Sequence, residues 1–256
     1  MLSGKKLLIT GIANSDSIAF AVAERAQLLG AEIALTAFPR DRDLAAETAA
    51  LLPHPAALHE LDLTDREATD ALTETLRGSI GRIDGALHAV AFAPRDALAG
   101  DFLEADPEGI GLAFQTSAVS YATLARVVNE LHDGKPASLV GLDFDAGGAW
   151  PVYNWMGVCK SALAAVSRYL ARDLGPKGIR SNLIAAGPLH TRAAGGIPGF
   201  DKLTSAWENG APVAWDANDP APVADAVCFL LSDMARSITG EVLHVDGGYH
   251  AMAAPL

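Results

Sequence analysis

Tyr153 and Lys160 stand seven residues apart in this 256-residue chain, at the head of an apolar run rich in Ala and Leu. If that run is helical, seven residues make nearly two turns and place both side chains on one face. A phenol can donate a hydrogen bond to an oxygen on which negative charge develops. A nearby ammonium can bind ribose hydroxyls and keep the phenol acidic. The pair therefore predicts a site in which both side chains point at one ligand.

Strand patterns and helical patterns alternate along the whole chain. The predicted strands cover residues 6–10, 32–37, 57–61, 85–90, 138–142, 180–186 and 241–245. Such alternation with short connections is typical of a doubly wound parallel sheet with helices on both faces, which binds ligands beyond the carboxyl ends of its strands. We therefore expect one α/β domain of the Rossmann type over residues 1–256, with a seven-stranded parallel sheet.

These motifs resemble the short-chain dehydrogenase/reductase superfamily, although Gly157 stands where its usual Lys, four residues after the Tyr, would be. The spacing of seven, with GLDFD at 141–145 and PVYNWM at 151–156, resembles the trans-2-enoyl-acyl-carrier-protein reductases, most of all the mycobacterial type targeted by isoniazid. The resemblance covers nearly the whole chain. It implies hydride transfer from NADH to an enoyl thioester of acyl carrier protein or CoA, in fatty acid elongation. In that reaction Tyr153 would donate to the thioester oxygen, Lys160 would bind the nicotinamide ribose, and Phe144 would be an apolar gate.

The resemblance also implies where NADH binds. Gly11 ends the first strand, and Ser17 can cap the next helix, whose free amides and positive dipole end would receive a pyrophosphate. The other implied cofactor contacts, besides Lys160, lie near strand ends: Ile18, Phe38, Asp62, Leu63, Ala89, Val90, Ala91, Gly187, Leu189 and Thr191. Two alternatives stay open. Asp62 can instead cap the following helix, and Arg40 and Arg42 can be solvated turn charges rather than phosphate contacts.

A substrate-binding loop is expected at about residues 189–209, shorter than in the isoniazid-target enzymes. Its small residues followed by one short amphipathic turn predict a mobile lid over a short or medium acyl chain. The expected substrate contacts are Phe92, Phe144, Tyr153, Met156, Ala193, Ile197 and Phe200. Phe144 can equally be an ordinary core residue. Arg95, Arg192 and Lys202 are candidates for docking the acidic carrier protein.

Composition limits the other classes of function. The net charge of −12 argues against a nucleic-acid partner, because phosphate contacts need an excess of Lys and Arg. The two cysteines have no metal-binding spacing, and neither a membrane span nor a signal peptide is indicated, so we expect no metal and a cytoplasmic protein. By resemblance, the helical stretches 107–129 and 155–174 would build a homotetramer.

Two other functions remain open. One is a carbonyl reductase of the same superfamily, against which the missing YxxxK spacing and Ser partner argue. The other is a nucleotide-sensing protein without catalytic activity, against which the intact Tyr153 and Lys160 argue.

Overall fold

The computed structural model describes residues 1–151 and 153–253; Val152, part of the 151–156 motif, and residues 254–256 lie outside the described residues. The described residues form one parallel sheet in the order β3-β2-β1-β4-β5-β6-β7. Its strands are β1 Lys6–Thr10, β2 Glu32–Ala37, β3 Ala57–Glu60, β4 Gly85–His88, β5 Ala137–Asp143, β6 Ile179–Ala186 and β7 Val242–Val245. The predicted doubly wound sheet is confirmed.

Helices cover both faces of the sheet. They are α1 Ile18–Leu28, α2 Arg42–Ala49, α3 Arg66–Ser79, α4 Arg95–Leu98, α5 Pro107–Phe114, α6 Ser120–Leu131, α7 Asn154–Leu174, α8 Phe200–Gly210 and α9 Ala221–Leu231. One apolar core includes Val22 of α1 and Val227 of α9, and the other includes Leu124 of α6 and Leu163 of α7. Fully burying one such side chain stabilises the fold by roughly 1.5–3 kcal/mol. No helix in the described part of the chain is both long and apolar enough to span a bilayer.

The strands read as near-continuous apolar runs because both of their faces are covered. Every residue of β1 after Lys6 is buried, and so is every residue of β5 except Leu142. The carboxyl ends of β1, β4, β5 and β6 consequently meet along one edge of a rigid platform. Residues that follow these ends are held there by the sheet itself.

The helical stretch predicted at residues 107–129 is interrupted by a π-helical turn, Gln115–Val119, between α5 and α6. Such turns occur mostly as single insertions and are frequent at functional sites. Ser117 of this turn is buried, and its Oγ both accepts from the Phe92 amide and donates to the Phe92 carbonyl, each at 3.1 Å. The irregular turn therefore fixes the chain that follows β4.

The segment after residue 199 also differs from the expected single turn. Gly199 has a φ of +76°, and α8 then runs for 11 residues and buries Leu203 and Trp207. Burial of this apolar face stabilises a full helix where the sequence pattern indicated only one turn. The expected flexible loop is thus shortened to residues 191–199.

Candidate active site

The strand order reverses between β1 and β4, which is where open α/β sheets bind their ligands. Gly11 follows β1 with a φ of +78°. A Cβ at this position would overlap the carbonyl oxygen of Ala89, just after β4. Only glycine allows the two backbones to approach this closely, and their contact forms the floor of a cleft along the sheet edge.

Helix α1 starts beside this floor. Ser17 Oγ accepts a hydrogen bond from the Phe20 amide at 3.2 Å, which confirms the predicted helix cap. The first turn, which begins with Ile18, contains no acidic residue. The positive end of the helix dipole therefore meets no acidic side chain within the first turn, and the start of α1 fits an anionic group such as a pyrophosphate.

Arg40 lies between two aromatic rings at this edge. Its guanidinium carbon is 5.1 Å from the ring centre of Phe38, after β2, and 5.9 Å from that of Phe92, after β4. Both distances are within the range of cation–π contacts. Arg42 instead pairs with Glu60 at 2.8 Å on the surface. Arg42 is therefore a paired turn charge, whereas Arg40 lies 3.6 Å from the Asp41 carboxylate and packs against the rings of Phe38 and Phe92.

Asp62 does not cap the helix that follows it. Its Oδ1 accepts hydrogen bonds from the Thr64 amide at 2.8 Å and the Thr64 hydroxyl at 2.7 Å. The cap of α3 is Asp65, which accepts from the amides of Glu67 and Ala68. The helix-cap alternative for Asp62 is therefore wrong. Its half-buried carboxylate, next to the buried Leu63, lies at the end of β3.

Tyr153 lies just before α7 rather than within it. The following residue, Asn154, has a φ of +34°, and the Tyr153 carbonyl accepts from the Gly157 amide at 3.2 Å, so the first turn of the helix begins here. Lys160, nearly two helical turns further on, is buried, and its Nζ donates to the carbonyl oxygen of Leu142 at 2.8 Å. This bond ties α7 to the carboxyl end of β5.

Burial governs the protonation of both side chains. It raises the pKa of the Tyr153 phenol above its ordinary value, and the charge of Asp143 raises it further. The expectation that Lys160 keeps this phenol acidic is therefore wrong. Burial lowers the pKa of Lys160, and the charge of Asp143 opposes that shift. At neutral pH the phenol is protonated, which is the form that donates a hydrogen bond.

Phe144 packs as part of the core and also against the phenol of Tyr153. Its side chain is 9% exposed, and its ring centre lies 4.9 Å from that of Tyr153, 5.4 Å from Trp150 and 5.7 Å from Trp207. The Trp150 indole donates to the Asp145 carbonyl at 2.6 Å. Phe144 is therefore a core residue that also packs beside Tyr153.

The chain after β6 turns closely over the sheet edge. A Cβ at Gly187 would come within 2.7 Å of the Trp215 ring, and the Gly187 amide donates to the Val245 carbonyl at 2.9 Å. Leu189, two residues further on, is buried. The Thr191 hydroxyl accepts from the Ala194 amide at 3.1 Å, which holds the start of the loop.

A cavity of about 290 Å³ lies beneath this loop. It is lined by His190, Thr191, Ala194, Gly195, Ile197, Gly199, Phe200 and Asp201. Two of the expected substrate residues, Ile197 and Phe200, therefore line one space, while Ala193 is exposed. Met156 lies elsewhere, in a small apolar cluster with Leu98, Ala113 and Cys159, against which Tyr153 packs.

A family model described as enoyl-(acyl carrier protein) reductase matches residues 11–250 of the chain. The chain belongs to this reductase family. The match begins at Gly11, just after β1, and includes the later elements that border the cleft. It confirms the family expected from the spacing of seven and its flanking motifs.

Three proteins similar to this chain bear the name of such a reductase. Enoyl-[acyl-carrier-protein] reductase [NADH] of Mycolicibacterium smegmatis is 41% identical and covers 97% of both chains. Its counterpart in Mycobacterium avium is 40% identical, again over 97% of both chains. The Escherichia coli enzyme of the same name is 36% identical over 98% of this chain and 96% of its own. The likeness to mycobacterial reductases is thus borne out over the whole length.

The reductase site contains two buried polar groups that the sequence analysis did not single out. Asp143 ends β5, and burial raises its pKa to about 6. His88 ends β4, and its Nε2 lies 2.7 Å from the Ser120 hydroxyl. Burial and the Lys160 charge lower the His88 pKa to about 3, so this imidazole is neutral. The sequence contains a signal for both residues, since each is a polar residue at the end of an otherwise apolar strand.

Proposed function

We infer that this protein is an NADH-dependent enoyl-acyl-carrier-protein reductase, which reduces trans-2-enoyl thioesters to saturated acyl thioesters in fatty acid elongation. The observation that supports this most is the pairing of a protonated phenol with a buried lysine, seven residues apart at the carboxyl edge of the sheet. The two mycobacterial relatives, which align with this chain over 97% of their length, are named for this reaction.

The residues present fit NADH. Lys160 would bind the nicotinamide ribose, and the start of α1 with Gly11 would hold the pyrophosphate. The Asp62 carboxylate would accept from the adenine amine, and Ala89, Val90 and Ala91 would lie along the nicotinamide ribose. Gly187, the Leu189 backbone and the Thr191 hydroxyl would meet the carboxamide. When bound, NADH supplies the hydride for the β-carbon of the substrate.

Tyr153 would donate its hydroxyl hydrogen bond to the thioester oxygen, where negative charge develops during reduction. Within the described residues this hydroxyl forms no hydrogen bond, and the side chain is half-buried, so the donor is available to a substrate. Three extra residues between Tyr and Lys move the phenol by about 5 Å along a helix. That displacement suits an oxygen two bonds beyond the carbon that accepts hydride. In a ketone, by contrast, the oxygen is attached to that carbon.

The adenosine end favours NADH over NADPH. Phe38 stands where an acid usually binds the ribose, and the adjacent Arg42 is already paired with Glu60. Arg40 is engaged with two aromatic rings. We therefore expect kcat/KM to be higher with NADH. An equal or higher value with NADPH would contradict this preference.

The deciding experiment mixes the purified protein with NADH and crotonyl-CoA or an enoyl acyl carrier protein, and follows the loss of NADH absorbance. Consumption with the enoyl substrates, and none with ketoacyl or simple ketone substrates, is expected. Turnover of the ketones instead would favour the carbonyl reductase. NADH binding without turnover of either class would favour the sensor.

We also propose that the protein works as a cytoplasmic homotetramer. Exposed apolar side chains lie on the two expected interface segments: Leu112, Phe114 and Val119 on the first and Val158 on the second. Exposed apolar surface of this kind is typical of protein contacts. Light scattering coupled to gel filtration checks the mass, and Leu112→Glu with Val158→Glu is expected to give smaller species.

A further inference from the structure

Asp143 carries a carboxylate that its surroundings do not satisfy. The side chain is 6% exposed, and within the described residues neither of its oxygens accepts a hydrogen bond of good geometry, although the adjacent Phe144 amide favours its ionised form. An unpaired buried carboxylate is strongly unfavourable, and buried polar groups without partners in native folds call for an explanation. They are frequent at functional sites, where their environment sets the protonation of neighbouring groups.

Lys160 is the buried cation that acts on this carboxylate, although the two form no direct ion pair within the described residues. Its ammonium donates to the carbonyl of Leu142, the residue immediately before Asp143, at 2.8 Å. An ammonium has three donors, so two remain for other partners. Each of the two buried charges favours the ionised form of the other: Lys160 lowers the pKa of Asp143, and Asp143 raises that of Lys160.

The other groups that face this pair do not supply the missing charge. Cys159, beside Lys160, has a raised pKa and is a neutral thiol, and the pKa of His88 is lowered to about 3. Asp145 acts on Asp143 as a second negative charge, which raises its pKa. The charge of Asp143 also raises the pKa of Tyr121, from α6, and of Tyr153. Cys159 would act on Tyr153 and Lys160 in the same direction if it were ionised, but its thiol is neutral, so Asp143 is the anion that acts on both.

We propose that Asp143 is a positioning residue of this active site, whose buried carboxylate is the counter-ion that keeps Lys160 a cation and Tyr153 a neutral phenol. The inference rests on the roles proposed above for Tyr153 and Lys160. One negative charge serves both, because it stabilises an ammonium that binds ribose and disfavours a phenolate that could not donate a hydrogen bond.

Asp143→Asn tests this, since it removes the charge and nearly preserves the shape. Without Asp143 the pKa of Lys160 falls, so Lys160 loses its proton at a lower pH. The dissociation constant of NADH, measured by nicotinamide fluorescence, is expected to be close to wild type near pH 6 and at least about tenfold weaker near pH 9. Asp143→Ser also removes the charge and is expected to show the same loss on the alkaline side.

Asp84→Asn is the matched control. Asp84 is as buried as Asp143, but it precedes β4 at the opposite edge of the sheet, where it accepts from the Lys6 amide at 2.8 Å. This variant is expected to lower Tm while leaving the pH dependence of NADH binding unchanged. If Asp143→Asn weakens binding equally at every pH, in step with a lower Tm, Asp143 is structural and the proposal is overturned.

A second measurement needs no cofactor. The ultraviolet absorbance of tyrosinate is compared between Asp143→Asn and the double variant with Tyr153→Phe, and likewise for wild type with and without Tyr153→Phe. The Tyr153 signal is expected to appear at lower pH in Asp143→Asn; an unchanged midpoint would overturn the proposal. If enoyl thioesters are not reduced while both shifts are seen, the proposed function fails and the counter-ion role stands.

Discussion

The two sides of the active site are built in opposite ways. On the side that we propose to be catalytic, β5 and α7 bury Asp143, Phe144 and Lys160, and a hydrogen bond at 2.8 Å joins the helix to the strand. On the substrate side, most of residues 191–199 are exposed or half-buried, and short turns hold them around a cavity of about 290 Å³. One side is filled with side chains, and the other borders a partly open cavity.

Because of this difference, we expect the two sides to have different functions. Charges and dipoles that are buried and fixed act strongly on the reacting atoms, because there is little water to screen them. A loop of small residues instead decides what fits and how it is covered. Substitutions on the catalytic side should therefore change kcat or cofactor affinity greatly, whereas those on the loop should change the choice of substrate by smaller factors.

The largest effect is expected from Tyr153→Phe. The phenyl ring keeps its packing against Phe144, but the donor to the developing oxyanion is lost, at a cost of roughly 2–4 kcal/mol in the transition state. Steady-state kinetics should show a fall in kcat with NADH affinity nearly unchanged. Tyr169→Phe, at an exposed tyrosine of the same helix, is the control and should match wild type. Wild-type kcat in Tyr153→Phe would remove the phenol from the mechanism.

Lys160→Ala should act on the cofactor instead. A hydrogen bond to a charged group contributes roughly 1.5–3 kcal/mol, so the NADH dissociation constant should rise by about one to two orders of magnitude. Lys177→Ala is the control, because this exposed lysine bonds Asn129 at the far end of α7. Calorimetric titration checks both variants. If the two bind NADH alike, the role given to Lys160 is wrong.

The sequence predicts the catalytic platform well, and the reason is local. Apolar runs such as β1 and β5 are recognisable because both faces of a parallel strand are buried. The cap at Ser17 and the turn at Gly11 depend on one residue each, so residue type alone indicates them. These features follow from the backbone geometry of a few neighbouring residues.

Other features depend on contacts between distant parts of the chain. The low acidity of the Tyr153 phenol results from burial and from Asp143, neither of which its spacing from Lys160 reveals. The π-helical turn at Ser117 is tied to Phe92, 25 residues away. Helix α8 forms because Trp207 packs into the core. Burial against distant parts of the chain determines all three features, and a local sequence pattern does not reveal that burial.

A smaller effect is expected on the substrate side. Because the cavity beneath residues 191–199 is limited, kcat/KM should rise through short and medium enoyl chains and then level or fall. Each methylene left uncovered forgoes about 0.8 kcal/mol, or roughly fourfold in kcat/KM. Ile197→Ala enlarges the space and should move the optimum to longer chains. Val213→Ala, at an exposed valine outside the cavity, is the control and should leave the optimal chain length unchanged.

The measurement uses one carrier throughout, at concentrations below micelle formation. A steady rise in kcat/KM from medium to long chains with the wild-type enzyme would show that the short loop does not set the limit. An unchanged optimum in Ile197→Ala would place the end of the acyl chain elsewhere than in this cavity.

The smallest effects are expected at the rim, where the acidic carrier protein would dock on an enzyme of net charge −12. Arg95 and Lys202 are exposed and form no ion pair within the described residues, whereas Arg192 already pairs with Asp41 at 3.0 Å. Exposed ion pairs contribute only about 0.2–1 kcal/mol, so each charge reversal should raise KM by a small factor. Reversal at Arg95 and Lys202 should raise KM for an enoyl acyl carrier protein and spare a CoA substrate. Reversal at Arg192 should affect the carrier less, because its charge is already shared. Equal effects on both substrates would argue against docking at this rim.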